Sequence, residues 1–367
     1  MTTQDRSLTS ALHTLLQRAI SQAGGWIPFD RFMALALYAP GMGYYANDSR
    51  KFGLMPGSGS DFVTAPELSP LFGKALAAQV ALALQASGTR EVWEFGAGSG
   101  ALALQLLDAL GTMGVTVDRY TIVDLSGTLR ARQQQALAAH APRVHWASEL
   151  PEALHGVVVG NEVLDAMPAR LLVRTGGVWH ERGVAWHEGR PVFADTPTDL
   201  RPPVDIEGTH DYLTEIHPQA EAFMRTLADR LKRGAAFFID YGFGESEYYH
   251  PQRHMGTLMC HRAHQADTDP LADVGLKDIT VHVNFTGVAL AAQEAGLGTI
   301  GYTSQARFLM NCGIVGLMEQ ATLAGRSHAL KLLNEHEMGE LFKVIALSPQ
   351  AGWEPLGFAS GDRSHTL

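Results

Sequence analysis

The spacing of apolar residues changes several times along the chain, and each change marks a predicted element. Residues 8–22 and 30–38 carry apolar positions at helical spacing, and a further helix is predicted near 68–86. Between them, the stretch 39–66 (APGMGYYANDSRKFGLMPGSGSDFVTAP) is rich in Gly, Pro and Ser and reads as a long loop, the kind that forms a lid or binding segment. From residue 91, short apolar runs alternate with helical patterns: strand 91–95, helix 101–110, strand 119–124, helix 127–140, a short strand near 143–146 and strand 156–160. Strands alternating with helices imply a parallel sheet.

The rhythm breaks at 171–195 (LLVRTGGVWHERGVAWHEGRPVFAD), where two or three short strands joined by Gly turns predict an antiparallel insertion. It resumes with a helix near 215–233, the apolar strand 235–240, an extended stretch 278–285, a helix near 286–295, a strand near 298–303, helices within 315–340 and a last strand 341–347. The expected organisation is a helical N-terminal region with a lid or substrate loop (1–88), an α/β domain (89–348) with an insertion at about 170–214, and a mobile tail (349–367).

The stretch EVWEFGAGSGALALQLL (91–107) runs from a strand through Gly96, Gly98 and Gly100 into a helix. Such a turn lets the backbone approach a ligand without a Cβ in the way, and the helix points its first amides at the same place. Gly96, Gly98 and Ala101 also satisfy a dinucleotide pattern, so NAD(P) stays open on the glycines alone. Glu94, two residues before the turn, weighs against a pyrophosphate, which a carboxylate repels. S-adenosylmethionine carries an ammonium and a sulfonium, and a charge-assisted contact to such a cation supplies about 1.5–3 kcal/mol. Ala97 belongs to the same lining.

Asp124 ends the second strand, where an acid accepts hydrogen bonds from ribose hydroxyls, and Leu125 follows it. The capping of a loop is the alternative for Asp124. In Gly160-Asn-Glu-Val-Leu-Asp-Ala-Met-Pro168, the residues Asn161, Glu162 and Asp165 follow a buried run, at the sheet end where open α/β folds bind ligands. Asn161 can hold a substrate nitrogen or the cofactor, and Glu162 with Asp165 can grip a guanidinium and relay its proton; a helix cap is the bland alternative. Asp240, before Tyr241 and Gly242, opens onto the same rim and faces substrate or forms a turn. Thr64 and Glu67 have capping-box spacing, compatible with a lid over the cofactor. Tyr44 and Tyr45 offer an aromatic rim for a substrate cation, or one packed and one exposed ring.

The chain has 367 residues, 46% of them hydrophobic, enough for a full core. A net charge of −10 argues against general binding to nucleic acid or an anionic membrane. Two cysteines require no disulfide framework, and the opening residues resemble neither a secretory signal nor a transit peptide, so a cytoplasmic protein without membrane insertion is expected. Cys260, His261, His264, Asp267 and Asp269 form the densest cluster of potential metal ligands, but their spacing fits no compact zinc pattern and no metal is expected. Asp278, Thr280 and His282 alternate on one face of a possible strand, as a polar edge or a catalytic group.

FGAGSG, GNEVLDAMP, DFVTAPELSPLFG, APGMGYY, IDYGF and DITVHVNF together resemble the MidA-like methyltransferases, a family that includes a mitochondrial complex I assembly factor methylating protein arginine. The resemblance spans most of 25–315 and implies a class I, Rossmann-like, mostly parallel seven-stranded fold. It implies S-adenosyl-L-methionine bound by Glu94, Gly96, Gly98, Gly100 and Asp124, with Thr64, Glu67, Asn161, Glu162 and Asp165 near the active cleft. It also implies arginine N-methylation of a protein substrate, with a respiratory-chain subunit in view; a homodimer is a further expectation. The mitochondrial relatives carry a targeting segment that this sequence does not show, and Asp124 stands where a glutamate is usual. A non-catalytic assembly chaperone that binds the cofactor and an NAD(P) oxidoreductase are the competing expectations.

Overall fold

The computed structural model describes residues 3–47, 63–124, 127–350 and 352–367. By packing, the chain forms two compact units, one built from 1–62, 165–220 and 243–284, the other from 63–164, 221–242 and 285–367.

The second unit is a sheet covered by helices. Its strands are β1 (Glu91–Phe95), β2 (Arg119–Val123), β3 (Val144–Ala147), β4 (Leu154–Asn161), β5 (Leu231–Phe243), β6 (Gly298–Ser304) and β7 (Phe342–Ser348). They lie in the order β3-β2-β1-β4-β5-β7-β6. The first five run parallel, and β7 is antiparallel to both β5 and β6. This is the class I methyltransferase arrangement, mixed α/β with a mostly parallel sheet. Strands buried on both faces read as continuous apolar runs, as Val157, Val158 and Val159 do in β4. Helix Pro70–Ser87 starts from Ser69, whose side chain accepts from the Leu71 amide, and ends on Gly88 in the left-handed conformation. It packs against helix Ala101–Thr112 in the main core.

β5 begins earlier than predicted. The helix expected over 215–233 is instead strand Tyr212–Ile216, helix Pro218–Arg230 and then β5. Pro218 opens the helix, and parallel pairing with β4 from Leu231 onward takes the polar residues Lys232 and Arg233 into the strand.

The tail also differs from expectation. Gly357 donates its amide to Gln79 Oε1 (2.8 Å), Arg363 donates its amide to Tyr302 O (2.6 Å), and the Arg363 guanidinium pairs with Glu340 (2.6 Å). Thr303 Oγ1 donates to Gly361 O (2.7 Å), and Asp362 Oδ1 accepts from the Tyr302 amide (2.9 Å). The segment is therefore tied to β6.

The first unit contains the predicted insertion. Strands Arg170–Thr175, Val178–His187 and Arg190–Pro197 form consecutive hairpins. Their two-residue turns, Gly176-Gly177 and Glu188-Gly189, have φ of 57°, 83°, 47° and 80°, the double positive φ that matches strand twist. Trp26–Pro28 and Tyr212–Ile216 extend this antiparallel sheet. Helices Thr3–Gln22 and Phe29–Tyr38 supply apolar side chains to the unit's core. No helix among the described residues is long and apolar enough to cross a membrane.

Candidate active site

Strand register builds the rim. Phe95 lies opposite Val123 and Gly160, while Asn161 lies opposite Ile239. Gly96, Asp124, Asn161 and Asp240 therefore lie within about one residue of the same level, at the carboxyl end of the parallel strands. Gly160 permits this close packing: a Cβ there would fall 2.7 Å from the Phe238 ring.

Gly96, Gly98 and Gly100 have φ of 63°, 53° and 87°. A Cβ on Gly96 would also stand 3.0 Å from Val163 Cγ2. The turn thus requires glycine on two counts, left-handed backbone and space.

Glu94 lies within β1, not at its last position, and is 2% exposed. Tyr120 Oη donates to its Oε2 at 2.6 Å. Burial raises the Glu94 carboxyl to about 8, against the lowering effect of the Tyr120 hydrogen bond, and nearby Asp124 adds to the rise. Without a cationic ligand the neutral acid is therefore favoured at neutral pH.

A side chain that sequence reasoning missed connects the parts. Gln133, fully buried on helix Gly127–Ala136, donates from Nε2 to Gly98 O (3.1 Å) and to Asp124 Oδ2 (2.9 Å). Its Oε1 accepts from Trp146 Nε1 (2.8 Å). Leu125 lies outside the described residues.

At the end of β4, Asn161 Nδ2 donates to Glu162 Oε1 at 2.9 Å, and the Ala65 amide approaches the same oxygen at 3.4 Å. Asn161 Oδ1 is buried and has no hydrogen-bond partner among the described residues. Glu162 adopts φ 54°, an uncommon conformation for a side chain of its kind. Asp240 Oδ2 accepts from the amides of Val163 (3.1 Å) and Leu164 (2.9 Å), and its Oδ1 from that of Tyr241 (3.0 Å). Its carboxylate holds the turn after Glu162 rather than a turn of its own, since Asp240 lies within β5.

The capping box does not form. Thr64 makes no side-chain cap on the short helix Ala65–Leu68, and Glu67 Oε1 instead accepts from Ser99 Oγ in the glycine turn. Gln105 holds the segment further, donating to Pro66 O (2.8 Å) and accepting from the Gly73 amide (3.0 Å).

The remaining expected site residues belong to the first unit. Tyr44 is fully buried in its core, so it forms no exposed rim. Tyr45 stacks on Tyr38 (5.6 Å between ring centroids) and donates to the Asp278 carboxylate at 2.9 Å. Burial, then Asp278, raises its hydroxyl well above the usual value. Asp165 is 3% exposed and its carbonyl accepts from the Val281 amide (3.0 Å). Asp278 and Thr280 are buried rather than at a polar edge. In the cluster of Cys260, His261, His264, Asp267 and Asp269, Asp267 pairs with Lys277 Nζ at 2.7 Å, and burial pushes the Cys260 thiol up to about 12.

A positively charged methyl donor fits the rim. The glycine turn offers a cradle that a Cβ would fill, Asn161 offers an unspent buried acceptor, and Glu94 and Asp124 are the acids beside it. Fold and rim together define a class I S-adenosylmethionine-dependent methyltransferase. The sequence pattern of an S-adenosyl-L-methionine-dependent methyltransferase family matches residues 75–303. A crystal structure of a COG1565 superfamily member from Burkholderia thailandensis, bound to S-adenosyl-homocysteine, is 52% identical with a TM-score of 0.95, covering 100% of this chain and 99% of that one. Mitochondrial protein arginine methyltransferase NDUFAF7 from Danio rerio is 25% identical over 89% of this chain and 84% of its own length. Its Xenopus tropicalis counterpart is 26% identical over 95% and 88%. The chain belongs to the MidA-like methyltransferase family, and its cofactor is S-adenosyl-L-methionine. The expectation of a cytoplasmic protein is corrected by the same comparison, since these curated relatives are named mitochondrial.

Proposed function

We propose that the chain methylates an arginine nitrogen of a protein partner, a respiratory-complex or other multi-subunit component. The observation that carries this reading is Glu162. It is held in left-handed backbone at the sheet's carboxyl end, with its carboxylate hydrogen-bonded to Asn161 beside the glycine turn. Strain of this kind, of order 1–3 kcal/mol, persists where the surrounding structure over-determines it, and it clusters at functional sites.

When bound, the cofactor supplies a methyl group on a cationic sulfur. Glu94, the glycine turn and Asp124 hold it, Asn161 Oδ1 accepts from the cofactor or the incoming nitrogen, and Glu162 orients a guanidinium and takes its proton. Thr64 helps shape the acceptor site, and Glu67 bears on it through Ser99. Positioning is the principal source of rate, worth about 7–11 kcal/mol in favourable intramolecular cases. The NDUFAF7 relatives, named protein arginine methyltransferases, support the acceptor class.

The test is mass spectrometry of lysates from cells with and without the protein, repeated with Glu162→Gln. Methylarginine that appears only with the wild type, while the variant still binds S-adenosylhomocysteine, is the expected result. Equal methylation by the variant, or methyl groups found only on other residue types, overturns the proposal.

A further inference from the structure

We infer that Gln133 is a positioning residue for recognition of the cofactor's ribose, holding the glycine turn and the Asp124 carboxylate in one fixed relation. The inference rests on the reading of Asp124 as the ribose-binding acid and adds a residue with no charge and no place in any motif.

The hydrogen-bond chemistry determines the orientation of the amide. Nε2 has two hydrogens, and two acceptors stand in reach, Gly98 O at 3.1 Å and Asp124 Oδ2 at 2.9 Å. Oε1 faces a donor, Trp146 Nε1, at 2.8 Å. Turning the amide over would set an oxygen against two oxygens and an NH₂ against an N–H, so only one orientation is satisfied. The side chain is fully buried, where an unmet polar group is costly.

Packing reinforces the arrangement. A Cβ on Gly100 would come 3.4 Å from the Gln133 Cα, so the helix bearing Gln133 lies directly on the turn. Trp146 comes from β3, Asp124 follows β2 and Gly98 follows β1. One side chain thus ties together the ends of three neighbouring strands. The carbonyl of Gly98 is turned toward Gln133, and the Asp124 carboxylate is fixed through Oδ2.

The experiment measures binding of S-adenosylhomocysteine, 5′-methylthioadenosine and 2′,3′-dideoxy-5′-methylthioadenosine by calorimetry. The proteins are the wild type, Asp124→Asn, Gln133→Leu and Trp146→Phe, with folding checked by circular dichroism. Wild type is expected to prefer the ribose with both hydroxyls by about tenfold or more, the scale of hydrogen bonds to a charged group. Gln133→Leu is expected to lose most of that preference, and Trp146→Phe to lose part of it. A merely structural role would weaken all three ligands alike and leave the ratio unchanged. An unchanged ratio in folded Gln133→Leu overturns the inference, and if that variant does not fold, an unchanged ratio in Trp146→Phe does so. Failure of the underlying reading shows separately, as a wild-type preference that survives in Asp124→Asn.

Discussion

Tyr120 and Glu94 form a buried hydrogen bond of 2.6 Å between adjacent parallel strands. Glu94 lies opposite Ile122, so Tyr120, two residues earlier, is its diagonal neighbour on the same face of the sheet. The phenol favours the ionised acid, but burial prevails and leaves Glu94 at about 8. A bound cation should draw it back into the ionised form. Below pH 8, cofactor binding should therefore release a proton, and affinity should rise with pH by up to about tenfold per unit. Calorimetry of S-adenosylhomocysteine in buffers of different ionisation heat measures the proton count. Glu94→Gln should abolish the Glu94-linked proton release, and Tyr120→Phe should weaken binding at pH 7.

Gly96→Ala should fail mainly as a binder. The new Cβ meets both a left-handed backbone, at about 1–2 kcal/mol, and a 3.0 Å approach to Val163. A lower melting temperature is expected, together with loss of the stabilisation that S-adenosylhomocysteine gives the wild type in a thermal-shift assay. Full ligand stabilisation of the variant would contradict the cradle.

Asp240→Asn exchanges a carboxylate that accepts three backbone amides for a group with a single acceptor oxygen. The expected cost is about 1–3 kcal/mol in chemical denaturation. Turnover should fall too, because the displaced turn carries Glu162. A variant as stable as the wild type would show that the amides find other partners.

His217 accounts for a different pH effect. It is buried beside Tyr248, 3.1 Å from the hydroxyl, and burial pushes its imidazole down to about 4 from 6.5, with His282 adding to the shift. The unfolded chain takes up that proton below pH 6.5 and the folded chain does not. The stability it contributes is complete above pH 6.5 and is lost as pH falls toward 4, at about 1 kcal/mol per pH unit. Urea titrations at pH 7 and 5 measure this loss, and His217→Phe should reduce it.

The parallel sheet was legible because each strand combines an apolar run with a following turn signal, and because register carries the chemistry to one edge. The Gly176-Gly177 and Glu188-Gly189 hairpins were legible because their turns name themselves. Gln133 was not legible: in sequence it is one of three consecutive glutamines, and its role exists only where three strand ends meet it. The raised carboxyl of Glu94 was not legible, because burial is a tertiary property. Glu67 illustrates the same limit, since the spacing of Thr64 and Glu67 satisfied a local rule while Ser99, distant in sequence, formed the bond. The last residues read as loose for lack of periodicity, although side chains far back in the chain hold them.

Those last residues have a consequence for how the molecule behaves in company. β6 is the outermost strand of its sheet, and an uncovered outer strand offers its amides and carbonyls to any passing chain. Here Arg363 and Asp362 occupy the backbone carbonyl and amide of Tyr302 that a foreign strand would otherwise use, and Gly361 takes the Thr303 hydroxyl. Residues 361–363 thus shield part of that outer edge, and a protein shortened at residue 350 should self-associate more than the full chain, as light scattering would show.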